Sequence, residues 1–196
     1  MNAQGPPPLW VASDSGVPSP PADTAPNAAF IDDPAVLSDK GLDSLSFPFF
    51  EACCGQLTFR HNFNPEASDI DPNLGFDGGV LEISFDGGNT FQDILAAGGS
   101  FVVGGYNRSI STDRDSPIAG HRAWSGNSSG FITTVVNLPP NQAFQMVIRW
   151  RMASDNSGSG EGWRVDTVEV TWCQGGPPCT PLPRRTRPTP HPRPTP

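Results

Sequence analysis

The sequence predicts an all-β protein, an antiparallel β-sandwich, and three observations carry that expectation. No stretch of useful length repeats apolar residues at the helical period. Two long segments, FQMVIRWRM and WRVDTVEVTW, alternate apolar and polar residues over a full strand length. Between such segments fall clusters of Gly, Pro, Ser, Asn and Asp, the residues that turn a chain between strands.

Taken in order, residues 1–27 read as a loosely held Pro-rich entry segment, with Trp10 and Val11 as a docking point on the body. Residues 28–173 hold one domain of about 150 residues, large enough to bury a core. Its strands are expected at 56–63, 79–85, 91–94, 131–138, 143–153 and 163–172. The stretch SDNSGSGEG between the last two reads as a flexible polar loop. Residues 174–196 are a Pro/Thr/Arg-rich tail, whose composition favours extended polyproline II and a linker to other domains of the same polypeptide. An SH3-type ligand is the alternative reading of that tail.

Charge divides unevenly. Residues 1–173 carry 20 acidic and 8 basic side chains, a balance of −12, while the tail carries four Arg and no acid. An acidic body repels phosphates and anionic head groups, which argues against nucleic acid as a partner, and it welcomes divalent cations. No apolar run approaches the roughly 18 residues a membrane-spanning helix needs, so no membrane insertion is expected. The opening MNAQGPPPLWVAS lacks the basic and apolar regions of a secretory signal. Cys53, Cys54, Cys173 and Cys179 lack the paired C-x-x-C knuckles and convergent His of a zinc site. They are disulfide candidates with three possible connectivities, and a bridge joining the two ends of the fold implies an oxidising, extracellular compartment.

Several motifs invite a chemical reading. SFDGGNTF, residues 84–91, resembles the Asp box of sialidases, but one box and one Tyr make no sialidase, so it is expected to form a turn between strands. GNSSG, residues 126–130, matches a nucleophile-elbow string, yet a strand rather than a helix follows it. His61, His121 and His191 are scattered, with no HExxH. No catalytic residue is therefore assigned, and His61 is expected to be a strand residue with a satisfied hydrogen bond.

Oxygen donors carry more. Asp69, Asp71, Asn73 and Asp77 fall within one turn-rich loop, where hard oxygen ligands can converge on calcium; solvated loop carboxylates are the alternative. A second group joins Asp32 and Asp33 at the entry to the sandwich with Asp166 in the last strand. For recognition, Trp124, Tyr106 and Arg122 are the candidate ligand-binding residues, with Trp124 expected to be exposed in its loop.

The succession LTFRHNF, FDGGVLEISFDGG, FQDI, GGYNRSIS, AWSGNSSGFITTVVNLP, VIRWRMASD and GWRVDTVEV resembles the MAM-like jelly-roll modules of secreted and surface bacterial proteins. Some of those accompany immune inhibitor A type or subtilisin-like peptidases. The resemblance implies a non-catalytic jelly roll that serves adhesion or binds a glycan or surface protein, with a structural calcium held by Asp166 and Asp32 or Asp33. A structural spacer within a larger secreted protein or filament is the alternative function.

Overall fold

The computed structural model describes residues 1–5, 9–49, 55–140 and 143–172, and no helix occurs among them. All four cysteines and the Pro-rich tail lie outside the described residues, and with them the expected disulfide and linker. The strands, in chain order, are β1 (Asn2–Gln4), β2 (Val11–Ser13), β3 (Ala28–Ile31), β4 (Ser38–Asp43), β5 (Phe47–Phe49), β6 (Gly55–Asn64), β7 (Leu74–Gly75) and β8 (Gly78–Ser84). They continue as β9 (Gln92–Asp93), β10 (Ser100–Val103), β11 (Arg108–Ile110), β12 (Arg122–Ala123), β13 (Ile132–Asn137), β14 (Ala143–Ser154) and β15 (Gly162–Trp172).

Two antiparallel six-stranded sheets dominate. The first runs β1-β4-β14-β8-β9 with β5 on β14, and the second runs β10-β13-β6-β15-β3-β2. A small third sheet, β12-β11-β7, contains one parallel pair, β11 with β7. The all-β class is as expected, and the six expected strands correspond to β6, β8, β9, β13, β14 and β15.

Alternation along the strands makes the layers. Leu81, Ile83, Ile148 and Trp150 of the first sheet share one buried cluster with Leu57, Phe59, Val136 and Trp163 of the second. The core therefore lies between two inward sheet faces, as in a β-sandwich. At Gly79 the layers are in close contact: a Cβ there would meet the Trp163 ring at 2.5 Å. At the core's centre His61 is 0 % exposed. Trp163 Nε1 donates to His61 Nδ1 at 3.2 Å, which leaves the ring proton on Nε2 facing Thr134 Oγ1 at 2.9 Å. Thr134 Oγ1 in turn donates to the Gly104 carbonyl at 2.6 Å.

The N-terminal residues are tied down, in contrast to the loose segment their composition suggests. β1 pairs with β4 in the first sheet and β2 with β3 in the second, and Trp10 between them is buried in the core. Residues 13–24 lie over the outer face of the second sheet because β15 presents two polar anchors there. Arg164, 0 % exposed, donates to the carbonyls of Ser13, Ser15, Val17, Pro18 and Pro21. Asp166 accepts from the amides of Asp23 and Thr24 at 2.9 Å and from Thr24 Oγ1 at 3.0 Å.

The SFDGGNTF stretch forms the expected turn. Asp86 Oδ1 accepts from the amides of Asn89 and Thr90 and from Ser84 Oγ, and Oδ2 accepts from Thr90 Oγ1. Gly87 and Gly88 supply the positive φ angles, +78° and +94°. These bonds, led by that from Thr90 Oγ1, hold the Asp86 carboxyl well below the usual carboxylate range.

Candidate metal centre

Four carboxyl groups from three separate stretches of the chain meet at one end of the sandwich. Asp77 immediately precedes β8 and Asp155 immediately follows β14, and these strands are neighbours with Gly78 opposite Ala153. Asp33 lies just beyond β3, and Glu66 just beyond β6. Asp77 and Asp155 are 0 % exposed, Asp33 4 %. Glu66, Asp77 and Asp155 each offer an oxygen, all within 4.8 Å of one another.

Backbone amides fix one oxygen of each Asp. Asp33 Oδ2 accepts from Glu66 N at 2.8 Å and Gly160 N at 2.7 Å, tying three loops together. Asp77 Oδ1 accepts from Asp155 N, and Asp155 Oδ1 from Ser157 N, both at 2.6 Å. The other oxygens, Asp33 Oδ1, Asp77 Oδ2 and Asp155 Oδ2, are buried without a hydrogen-bond partner, as is Glu66 Oε2. Such groups are costly to bury, and Glu66, Asp77 and Asp155 are close enough to hold one cation between them.

Electrostatics agree with the geometry. Burial and the adjoining Asp33 push Asp77 up to about 9, and the two carboxyls are close enough to share a proton. Burial likewise raises Asp33, and it raises Glu66 with help from Asp155. Arg114 is the one cation bonded to the group among the described residues, 3.7 Å from Asp155 Oδ2 and also bonded to Ser157 Oγ. One guanidinium faces four carboxyl groups that resist ionising together, and oxygen donors of this kind suit a hard divalent cation such as calcium.

The expected ligands divide. Asp33 and Asp77, placed by the sequence in two different groups, come together here. Asp32 instead pairs with Lys40 at 3.3 Å, and Asp166 spends its oxygens on the strap of residues 13–24, so the expected set of Asp32, Asp33 and Asp166 does not assemble. Asp69, Asp71 and Asn73 are exposed; Asp71 Oδ1 accepts from Asn73 N in a local turn, and Arg108 grips the carbonyls of Ser68, Asp71 and Leu74. Glu66 and Asp155 escaped sequence reasoning. Asp155 directly follows the longest alternating strand, and Glu66 follows another, which is the signal that could have found them.

The expected recognition surface is corrected as well. Trp124 is 1 % exposed, with Nε1 donating to the Gly104 carbonyl, because it packs among Phe59, Phe101 and Tyr106 in the core. The Tyr106 hydroxyl donates to Asp93 Oδ2 at 2.7 Å and accepts from Leu81 N, and burial raises its phenol. Arg122 is exposed and donates to the Tyr106 carbonyl. In GNSSG, Ser128 Oγ accepts from Phe63 N and lies within hydrogen-bond distance of Asn62 Oδ1 and the carbonyls of Phe63 and Gly130, a local cross-link. No protein-family model, curated protein or solved structure matches the chain.

Proposed function

We propose that this chain is a non-catalytic extracellular module of jelly-roll type, an adhesion or carbohydrate-binding unit whose loops are cross-linked by a structural calcium ion. The observation that carries the calcium assignment is the clustering of Glu66, Asp77 and Asp155 within 4.8 Å of one another, beside Asp33, with a buried oxygen of each lacking a hydrogen-bond partner. A cation there removes the repulsion among them and satisfies the orphaned oxygens. It would fasten the loops after β3, β6 and β14 to the start of β8, which keeps that end of the sandwich rigid. The sequence resemblance to MAM-like modules supports the adhesive or carbohydrate-binding reading, and the acidic body supports a partner that is neither nucleic acid nor an anionic surface.

Thermal melts of chelator-stripped protein test the calcium. Calcium at 100 times its dissociation constant should add about 2.7 kcal/mol of stability and raise the Tm, and excess chelator should reverse the rise. An identical melt with and without calcium would refute the assignment.

A further inference from the structure

The outer face of the first sheet carries a built polar groove. Across one register row Asp43 of β4, Arg149 of β14 and Glu82 of β8 lie side by side. Arg149 grips Asp43 through Nε and Nη2 at 2.6 and 2.8 Å, and its guanidinium lies 3.6 Å from the centre of the Phe91 ring. Arg151 grips Asp39 through Nε and Nη2 and reaches Glu82 Oε1 with Nη1 at 2.8 Å. Over these pairs runs a groove of about 410 Å³ with Gln4 and Asn89 on its walls. It continues toward the Asp86 turn as a second hollow of about 300 Å³, which shares Gln4 and Arg149 with the first.

The lining selects the chemistry of an occupant. Three carboxylates, Asp39, Asp43 and Glu82, and two guanidiniums leave a formal charge of −1, and every one of these charges is already paired. An anion finds no unmatched positive charge, and the one excess negative charge is spread over Asp39 and Glu82 around their shared Arg151. A protein partner would want an apolar centre, and Phe91 is capped by Arg149. What remains open is a mixed array of donors and acceptors: Arg149 Nη1 and the Gln4 carboxamide have no partner among the described residues, and Asn89 leaves its side-chain carbonyl open. Hydroxyl groups, each both donor and acceptor, match such an array, and ion pairs on a rigid sheet hold it in place before binding.

We infer that this groove binds a neutral glycan segment, with Gln4, Asn89 and Arg149 Nη1 supplying the directional hydrogen bonds; the inference rests on the carbohydrate-binding reading above. Affinity electrophoresis of the calcium-loaded full chain tests it, in gels containing xylan, mannan, soluble cellulose derivative or starch, with polygalacturonate as the acidic control. At least one neutral gel should retard the protein. The double variant Gln4→Ala/Asn89→Ala, at two exposed positions, should weaken that retardation roughly tenfold while keeping the wild-type fold, read by circular dichroism and a cooperative melt. Retardation equal in the wild type and the double variant would overturn the groove and leave the carbohydrate-binding reading standing. No retardation in any neutral gel would overturn both, and retardation by polygalacturonate alone would overturn the neutral class.

Discussion

His61 shows how one side chain can be specified by everything around it. Its two ring nitrogens face a donor, Trp163 Nε1, and a hydroxyl committed to the Gly104 carbonyl, so the neutral ring fits and the charged ring does not. Burial, aided by Arg60, pushes the imidazole down to about 3. The unfolded chain takes up a proton near pH 6.5 that the folded chain refuses until about pH 3. His61 therefore contributes stability above pH 6.5 that is lost as the pH falls toward 3, at about 1.4 kcal/mol per pH unit. Urea unfolding of wild type and His61→Phe at pH 7, 6, 5 and 4 checks this. The variant should be less stable at pH 7, and its stability should fall with acid less steeply, by about one proton's worth; parallel slopes would exclude the role.

Elements explain which strands and ligands were legible. The segments that became β14 and β15 announce themselves by alternation, because each buries one face in the core. The segment SDKGLD hides β4: its outward Asp39 and Asp43 look like loop residues until Arg151 and Arg149 of the neighbouring β14 are seen to bond them. That pairing depends on strand order, which local composition does not encode. The candidate metal centre was legible by halves for the same reason. Asp33 and Asp77 stand out as acids beside strand ends, but Glu66 and Asp155 join them only because β8 lies next to β14 and the loop after β6 reaches Asp33.

β15 also holds residues 13–24, which composition alone represents as loose. Its register slips between Asp166 and Glu169, and Thr167 there adopts φ 46°, so Asp166 is set at the bulge where the strap crosses. Asp166→Ala should cost about 1–2 kcal/mol and open residues 13–27 to protease, with the core strands still protected. Limited proteolysis with mass spectrometry reads the outcome. Unchanged cleavage of that segment would show that Arg164 and the β2 pairing suffice.

At the scale of the whole molecule, the sandwich buries its apolar core centrally and gathers the carboxyl groups of Asp33, Glu66, Asp77 and Asp155 at one end. Aromatic and aliphatic side chains from both large sheets hold the layers together. At the acidic end, the proposed calcium would couple folding to cation binding. Titration calorimetry of calcium into chelator-stripped full-length chain tests that coupling most directly. One saturable site is expected, which Asp155→Asn abolishes or weakens at least roughly tenfold, since a buried ligand loses its charge there. Absence of binding heat across accessible temperatures, or an isotherm unchanged in the Asp155→Asn variant, would contradict it.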